Sequence, residues 1–250
     1  MNKLVKAEWY RVKYSSNLMK WIIFVCVFLA LLPVFTNWEI KGGTASDYMI
    51  GLEEVAIMYI PLCVTVMSAV IVSLGYIQKT AYYEVMAGAK TSHILFSKLL
   101  VHAILITVLL VCSHLVCLLI LGNKHGMGQL EQIEWRLLLY ALAVFHYACC
   151  GVLIATALRQ GGAIVIAMIY FNVLQLISYV TISVLEIKGD ISSEILAECM
   201  KWFSTMNQLG NICVGELNHR LVIAVIGSFL LDSGLWYAIS YIGMKKKVYR

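Results

Sequence analysis

Charge is scarce in this chain: only 13% of its 250 residues are Asp, Glu, Lys or Arg, against about a quarter in a soluble domain. Hydrophobic residues make up 61%, and a water-soluble core cannot hide that much apolar surface. The motifs of the common chemistries are missing as well. There is no H-E-x-x-H, no C-x-x-C, no G-x-S-x-G and no complete nucleotide-binding loop. Gly88-Ala89-Lys90-Thr91 resembles only the tail of such a loop, with alanine where glycine should precede the lysine and no upstream glycine. No internal repeat or low-complexity tract is visible. Nor is there a secretory cleavage site, because the first apolar run starts near Leu18, lacks the small-residue pattern and is long enough to stay as a span.

Long apolar runs take the place of all this. A crossing helix needs ~20 apolar residues, and six runs qualify, at about 18–36, 55–77, 99–121, 135–158, 163–185 and 221–243. The expected fold is therefore all-α, a single six-span polytopic domain over residues 1–250, with no room for a soluble catalytic domain. Charge placement sets the orientation. With the amino terminus inside, Lys3, Lys6, Arg11, Lys13, Lys20, Lys79, Lys90, Lys98, Arg159, Lys245, Lys246, Lys247 and Arg250 face the cytoplasm against Glu8 and Glu84. The outer side holds Lys41, Lys124, Arg136, Lys188, Lys201 and Arg220 against eleven carboxylates. This asymmetry obeys the positive-inside rule and places both termini in the cytoplasm. The net charge of +5 then belongs to a basic inner rim that meets anionic lipid and gives no argument for nucleic acid.

Between the spans, residues 2–16 read as an amphipathic helix on the membrane surface, with Val5, Trp9 and Val12 as its apolar stripe. The outer loop 37–54 carries Lys41-Gly42-Gly43-Thr44 as a turn, and Pro61 is expected in the first turns of span two. Segment 186–220 exceeds what a turn requires. Its apolar residues recur at helical spacing, which predicts one or two short helices resting on or dipping into the outer leaflet. Cys199 and Cys213 both fall there and could pair if that side is oxidising.

Two sets of residues are candidates for function. Inside the spans, Asp232 is the clearest ionisable group, and His114, His146, Asn172 and Gln175 are candidates to share its layer. They read either as a polar strip along a transport path or as interhelical hydrogen bonds that fix packing. The second set is the inner loop 78–98, with Tyr82, Tyr83, Glu84, Met86, Gly88, Lys90 and His93. It suits a short docking helix parallel to the membrane: Glu84 caps or pairs, Gly88 permits the turn, and Tyr82, Tyr83 and Met86 offer an apolar contact. A solvated polar loop fits the same composition. No catalytic or metal-binding set emerges.

The order of parts resembles the permease subunit of an ABC-2-type ABC transporter. The likeness rests on the amphipathic start Glu8-Trp9-Tyr10-Arg11-Val12-Lys13, the six spans, the first inner loop with Glu84-Val85-Met86-Ala87-Gly88 ending at Ser97-Lys98-Leu99, and the helical segment before span six. The style of the first inner loop is similar to bacitracin- and lantibiotic-immunity permeases of Gram-positive bacteria, proteins of antibiotic resistance at the cell membrane. The resemblance implies two such subunits, alike or homologous, around a path for an amphipathic substrate. It also implies cytoplasmic ATPase subunits docked on loop 78–98, so that ATP and Mg are bound by the partner and this chain is not itself an enzyme. Two readings of other classes remain beside it: a proton-coupled carrier using Asp232 with His114 or His146, and a non-transporting membrane scaffold or sensor.

Overall fold

The computed structural model of the chain describes residues 2–36, 43–77, 88–128, 131–159, 162–188 and 190–248. Those residues form helices α1 (Asn2–Tyr14), α2 (Ser16–Thr36), α3 (Ala45–Ile77), α4 (Thr91–His125), α5 (Ile133–Leu158), α6 (Gly162–Lys188), α7 (Ile191–Phe203), α8 (Thr205–Cys213) and α9 (His219–Val248), with no strand among them. Helices α2 to α6 and α9 are long and apolar enough to cross a membrane. The protein is an all-α, multi-pass membrane protein. Six crossings put α1 and the end of α9 at one end of the bundle, called here the terminal end, and put α7 and α8 at the other.

Burial divides the spans into two kinds. The central windows of α3 and α5 are 61% and 72% buried, whereas those of the other four are 17–28% buried, so α3 and α5 form a hub that the others line. Between bilayer-embedded helices close backbone approach takes the place of hydrophobic driving force, and small residues permit it. Gly151 of α5 supplies that approach: a Cβ added there would fall 2.8 Å from Ser68 Cβ and 3.0 Å from the Thr65 carbonyl carbon of α3.

Span two starts ten residues earlier than its apolar run, at Ala45 instead of about 55. Thr44 and Asp47 explain the difference by forming a capping box. The Thr44 amide donates to Asp47 Oδ2 at 2.7 Å and the Asp47 amide donates to Thr44 Oγ1 at 3.4 Å. The free amides of Ala45 and Ser46 find the carbonyls of Gly126 and Met127, both at 3.1 Å. Pro61 therefore lies midway along α3 and not in its first turns. Having no N–H, it leaves the Ile57 carbonyl without its helical partner. Gln175 of α6 fills that vacancy, donating from Nε2 to Ile57 O at 3.3 Å.

Span three also begins early. Residues Thr91–Lys98 run straight into it through a π turn at Leu99–Ala103, so the second half of the expected inner loop is the base of a span and not a separate helix lying on the membrane.

The segment before the last span contains two helices, and they dip into the bundle. Asp190 caps α7 by accepting from the Ser193 amide. At the tip, Thr205 Oγ1 accepts from Gln175 Nε2 at 3.3 Å, near the middle of α6. Gln208 Nε2 donates to Trp202 O at 2.9 Å and to Ser228 Oγ of α9 at 2.8 Å. α8 then climbs back along α3 and ends where Arg136 of α5 donates to Ile212 O at 3.1 Å and Gly215 O at 2.9 Å. This is a re-entrant hairpin, whose non-helical tip is tolerated at membrane depth because protein groups meet its backbone needs. Cys213 is buried at the end of α8, Cys199 is exposed on α7, and both are free thiols. The two do not pair.

Candidate functional site

Three polar constellations lie inside or against the spanning helices. The first joins α1 to the base of α4. On α1, Trp9 of the expected apolar stripe is 44% exposed, as a residue of the headgroup zone would be, while Glu8 is buried with Val12. A carboxylate occupies the inner face because three donors meet it there. Its Oε1 accepts from Lys98 Nζ, and its Oε2 accepts from His102 Nε2 and Arg11 Nη2, each at 3.0 Å. Burial alone would raise the Glu8 pKa, but the hydrogen bond from His102 and the charges of Lys98 and Arg11 outweigh it, holding the carboxyl well below the usual range. Lys98 and His102 sit four residues apart on one helix face, His102 within the π turn. Such turns are rare and gather at functional sites. Neither Glu8 nor His102 was a site candidate from sequence, and Glu8 and Lys98 entered only as inner-side charges and as parts of the motifs that carry the resemblance. The available signal was a lone acid in a basic leader, facing a lysine and a histidine at i, i+4 where an apolar run begins.

The second constellation is closed. His114 of α4 does not join Asp232. Its Nδ1 lies 2.6 Å from Tyr48 Oη and its Nε2 lies 3.0 Å from Tyr140 Oη. Tyr48 gives its own proton to Ala30 O at 2.9 Å, so its oxygen must accept from His114 Nδ1–H, and Tyr140 must donate to Nε2. One neutral imidazole thus ties α2, α3, α4 and α5 together, with every polar atom of the knot matched. Of the two readings open from sequence, packing holds for His114.

The third constellation surrounds Asp232, near the middle of α9. Its Oδ2 accepts from His146 Nε2 of α5 at 3.1 Å and its Oδ1 accepts from Tyr170 Oη of α6 at 3.2 Å. His146 is held edge-on by Phe171 and Phe229, with ring centroids 5.9 and 6.0 Å away. Tyr170, which the sequence did not single out, packs edge-on against Trp236 at 5.4 Å. The Asp232 side chain is 26% exposed and lines a groove between α6 and α9. Of the proposed layer only His146 meets Asp232. Asn172 donates back to Met168 O of its own helix at 2.8 Å and is exposed, which satisfies an amide locally. Gln175 serves Pro61 and the hairpin tip, as described.

Of the loop candidates, Tyr82, Tyr83, Glu84 and Met86 lie outside the described residues. Gly88 has φ +72°, a left-handed value suited to glycine, and so makes the turn expected of it. Lys90 is the exposed residue that starts α4, and its carbonyl accepts from the His93 amide at 2.9 Å. No group of three His, Cys, Asp or Glu side chains able to hold a metal ion occurs among the described residues.

Set beside known proteins, the chain matches no protein-family model, no curated protein and no solved structure. Its function is therefore argued from the constellations themselves.

Proposed function

We propose that this chain is the membrane-spanning subunit of an ATP-driven transporter of the ABC-2 type, lying in the plasma membrane with both termini in the cytoplasm. It works with cytoplasmic ATPase subunits and a second permease subunit to expel an amphipathic substrate, an antimicrobial peptide being one such molecule. The observation that carries this reading is the Glu8 joint. The α3–α4 connection ends at the Gly88 turn, and within a few turns of α4 its lysine and histidine grip the amphipathic helix α1. A push delivered to that connection by a nucleotide-driven partner would reach α1 and α4 as one rigid body, and α4 would carry it into the bilayer. The re-entrant hairpin at the far end supports the same reading, because α7 lines a groove between α6 and α9 that an amphipathic molecule could enter.

The test is coupling. The full chain, isolated from its native membrane in mild detergent, is expected to bring down an ATP-hydrolysing protein whose turnover in nanodiscs falls when Gly88→Trp or Glu84→Lys is introduced, while membrane insertion is unchanged. Full coupling in both variants would remove the reading, and so would labelling of a cysteine placed at position 88 from outside intact cells.

The Asp232–His146 pair favours a second reading, a proton-linked carrier that needs no ATPase. Uptake driven by a pH gradient into vesicles holding only this chain would decide for it.

A further inference from the structure

The wall of the bundle is open between α6 and α9. The groove there encloses about 470 Å³, walled by Leu174 and Ile177 of α6 and Leu231 of α9 and covered toward the far end by Met200 and Phe203 of α7. Small-ligand sites span about 300–1,000 Å³, so its size is that of a site and not of a packing defect. Asp232 is the one carboxylate that lines it. A groove of nearly equal volume, about 480 Å³, lies on the other face of α9 between α4 and α5, and no charged side chain lines it. Bulk acyl chains suit the second groove. The first poses a different problem.

A carboxylate at mid-membrane costs about 2.5–3.5 kcal/mol even on insertion scales. His146 and Tyr170 each give Asp232 one hydrogen bond, and a carboxylate offers about four acceptor positions. The remaining capacity faces the groove. Another copy of this chain could not meet it with a cation. Among the described residues, the lysines and arginines of the spanning helices, such as Lys20, Lys98, Lys124, Arg136, Lys188 and Arg220, lie toward helix ends and away from the depth of Asp232. Phospholipid ammonium groups stay at the headgroup level, well above this depth. What fits is a small molecule that brings a cation into the hydrocarbon on an apolar body.

We propose that this groove is a binding site, entered sideways from the bilayer, for an amphiphile bearing a protonated amine, with Asp232 as its counter-ion and His146 and Tyr170 as positioning residues that aim the carboxylate. The apolar body lies between α6 and α9 beneath α7, and the ammonium group donates to the carboxylate oxygen that faces the groove. The site rests on this geometry alone and not on the transporter reading, so either can fail without the other.

The experiment uses the full chain in nanodiscs and two probes of equal length, 11,12-dibromododecylamine and 11,12-dibromododecanol, whose bromines quench tryptophan. Trp236 lies against Tyr170, within quenching reach of the groove. The amine is expected to quench saturably, with a half-saturation concentration about tenfold or more below that of the alcohol, while the alcohol reports partition into lipid and into the uncharged groove. Asp232→Asn keeps the shape and removes the charge, and should bring the amine to the level of the alcohol. Ser178→Phe leaves Asp232 in place and narrows the groove, and should weaken the amine by a similar factor, so the test survives a failure of Asp232→Asn to fold. Equal half-saturation for the two probes overturns the proposal. So does an amine preference that persists in Asp232→Asn. Absence of saturable quenching by either probe, which a second copy seated in the groove would produce, overturns it too.

Discussion

His114 and His146 are both buried among membrane-spanning helices, yet their surroundings are opposites. Around His114 the hydroxyls of Tyr48 and Tyr140 and the carbonyl of Ala30 complete each other's hydrogen bonds, and nothing is left over. Around His146 the partner is a carboxylate that still looks into an open groove. The joint that His114 makes among α2, α3, α4 and α5 is finished, and the joint at Asp232 between α6 and α9 is not. A polar group in the membrane is therefore read by what it leaves unmatched, since both histidines would score alike as buried ionisable residues.

Substitutions at the buried joints should cost the most. Glu8→Leu strands Lys98 and Arg11 against a buried apolar face, and breaking a buried pair from one side costs about 3–5 kcal/mol. The expected result is undocking of α1, read as maleimide labelling of a cysteine placed at Val12, which is buried in the intact protein. Loss of the Glu8 charge itself lies outside the ordinary range. A carboxyl whose folded pKa is depressed contributes stability that is complete above its unfolded value and is lost as pH falls through the folded one. Between about pH 8 and pH 5 any rise in labelling of that cysteine is therefore carried by His102, which is bonded to Glu8, and should vanish in His102→Gln. A rise that persists in His102→Gln would show that Glu8 is not held as described.

Gly151→Leu forces a side chain into the α3–α5 contact and should cost about 1–3 kcal/mol, seen as a lower midpoint for thermal unfolding in detergent. His114→Leu then measures the knot directly. It leaves the Tyr48 and Tyr140 hydroxyls without their partner, at about 1–3 kcal/mol for the unmatched groups. Asp232→Asn is expected to change the midpoint far less, within about 0.5 kcal/mol, because the groove already exposes that side chain. If the two substitutions prove equally costly, the distinction between the two joints disappears.

The smallest effect is also the most specific. Gln175→Leu removes the donor that serves the Ile57 carbonyl, while Pro61→Ala restores that carbonyl's own helical partner. The cost of Gln175→Leu should accordingly shrink in the Pro61→Ala background, with a coupling of about 0.6 kcal/mol. Simple additivity would mean that Gln175 acts at Thr205 alone.

Much of this architecture was legible in the residues. Run length and turn chemistry are local properties, so six spans, the helical character of the segment before the last one and the glycine turn at position 88 follow from the chain itself, whereas the dip of that segment into the bundle does not. Helix starts were harder, because Thr44 and Asp47 extend α3 well beyond its apolar run and the π turn hides the start of α4 inside a polar loop. The polar groups were hardest. Periodicity set Val5, Trp9 and Val12 on the membrane-facing stripe of α1 and left Glu8 among its polar residues, since hydropathy cannot see that Lys98 and His102 of α4 wait for a carboxylate. Proline at position 61 announces a needy carbonyl at position 57, but which helix answers is a tertiary fact. Asp232 was visible as an anomaly, and its neighbour Tyr170 was not, since a tyrosine in a span looks like any other aromatic.

The hairpin of α7 and α8 bears on how the molecule is made. A polypeptide leaving the ribosome offers its segments in order, and neither half of that hairpin is long enough to be accepted into lipid as a crossing of its own. α7 leans on α6 and α9 and α8 leans on α3, with Gln208 fastened to Ser228, so the berth of the pair is complete only when the last crossing has been synthesised. Chains arrested before α9 should hold this segment less firmly, and its final fastening is then the closing step of biogenesis, a late checkpoint at which quality-control proteases can tell complete chains from abandoned ones.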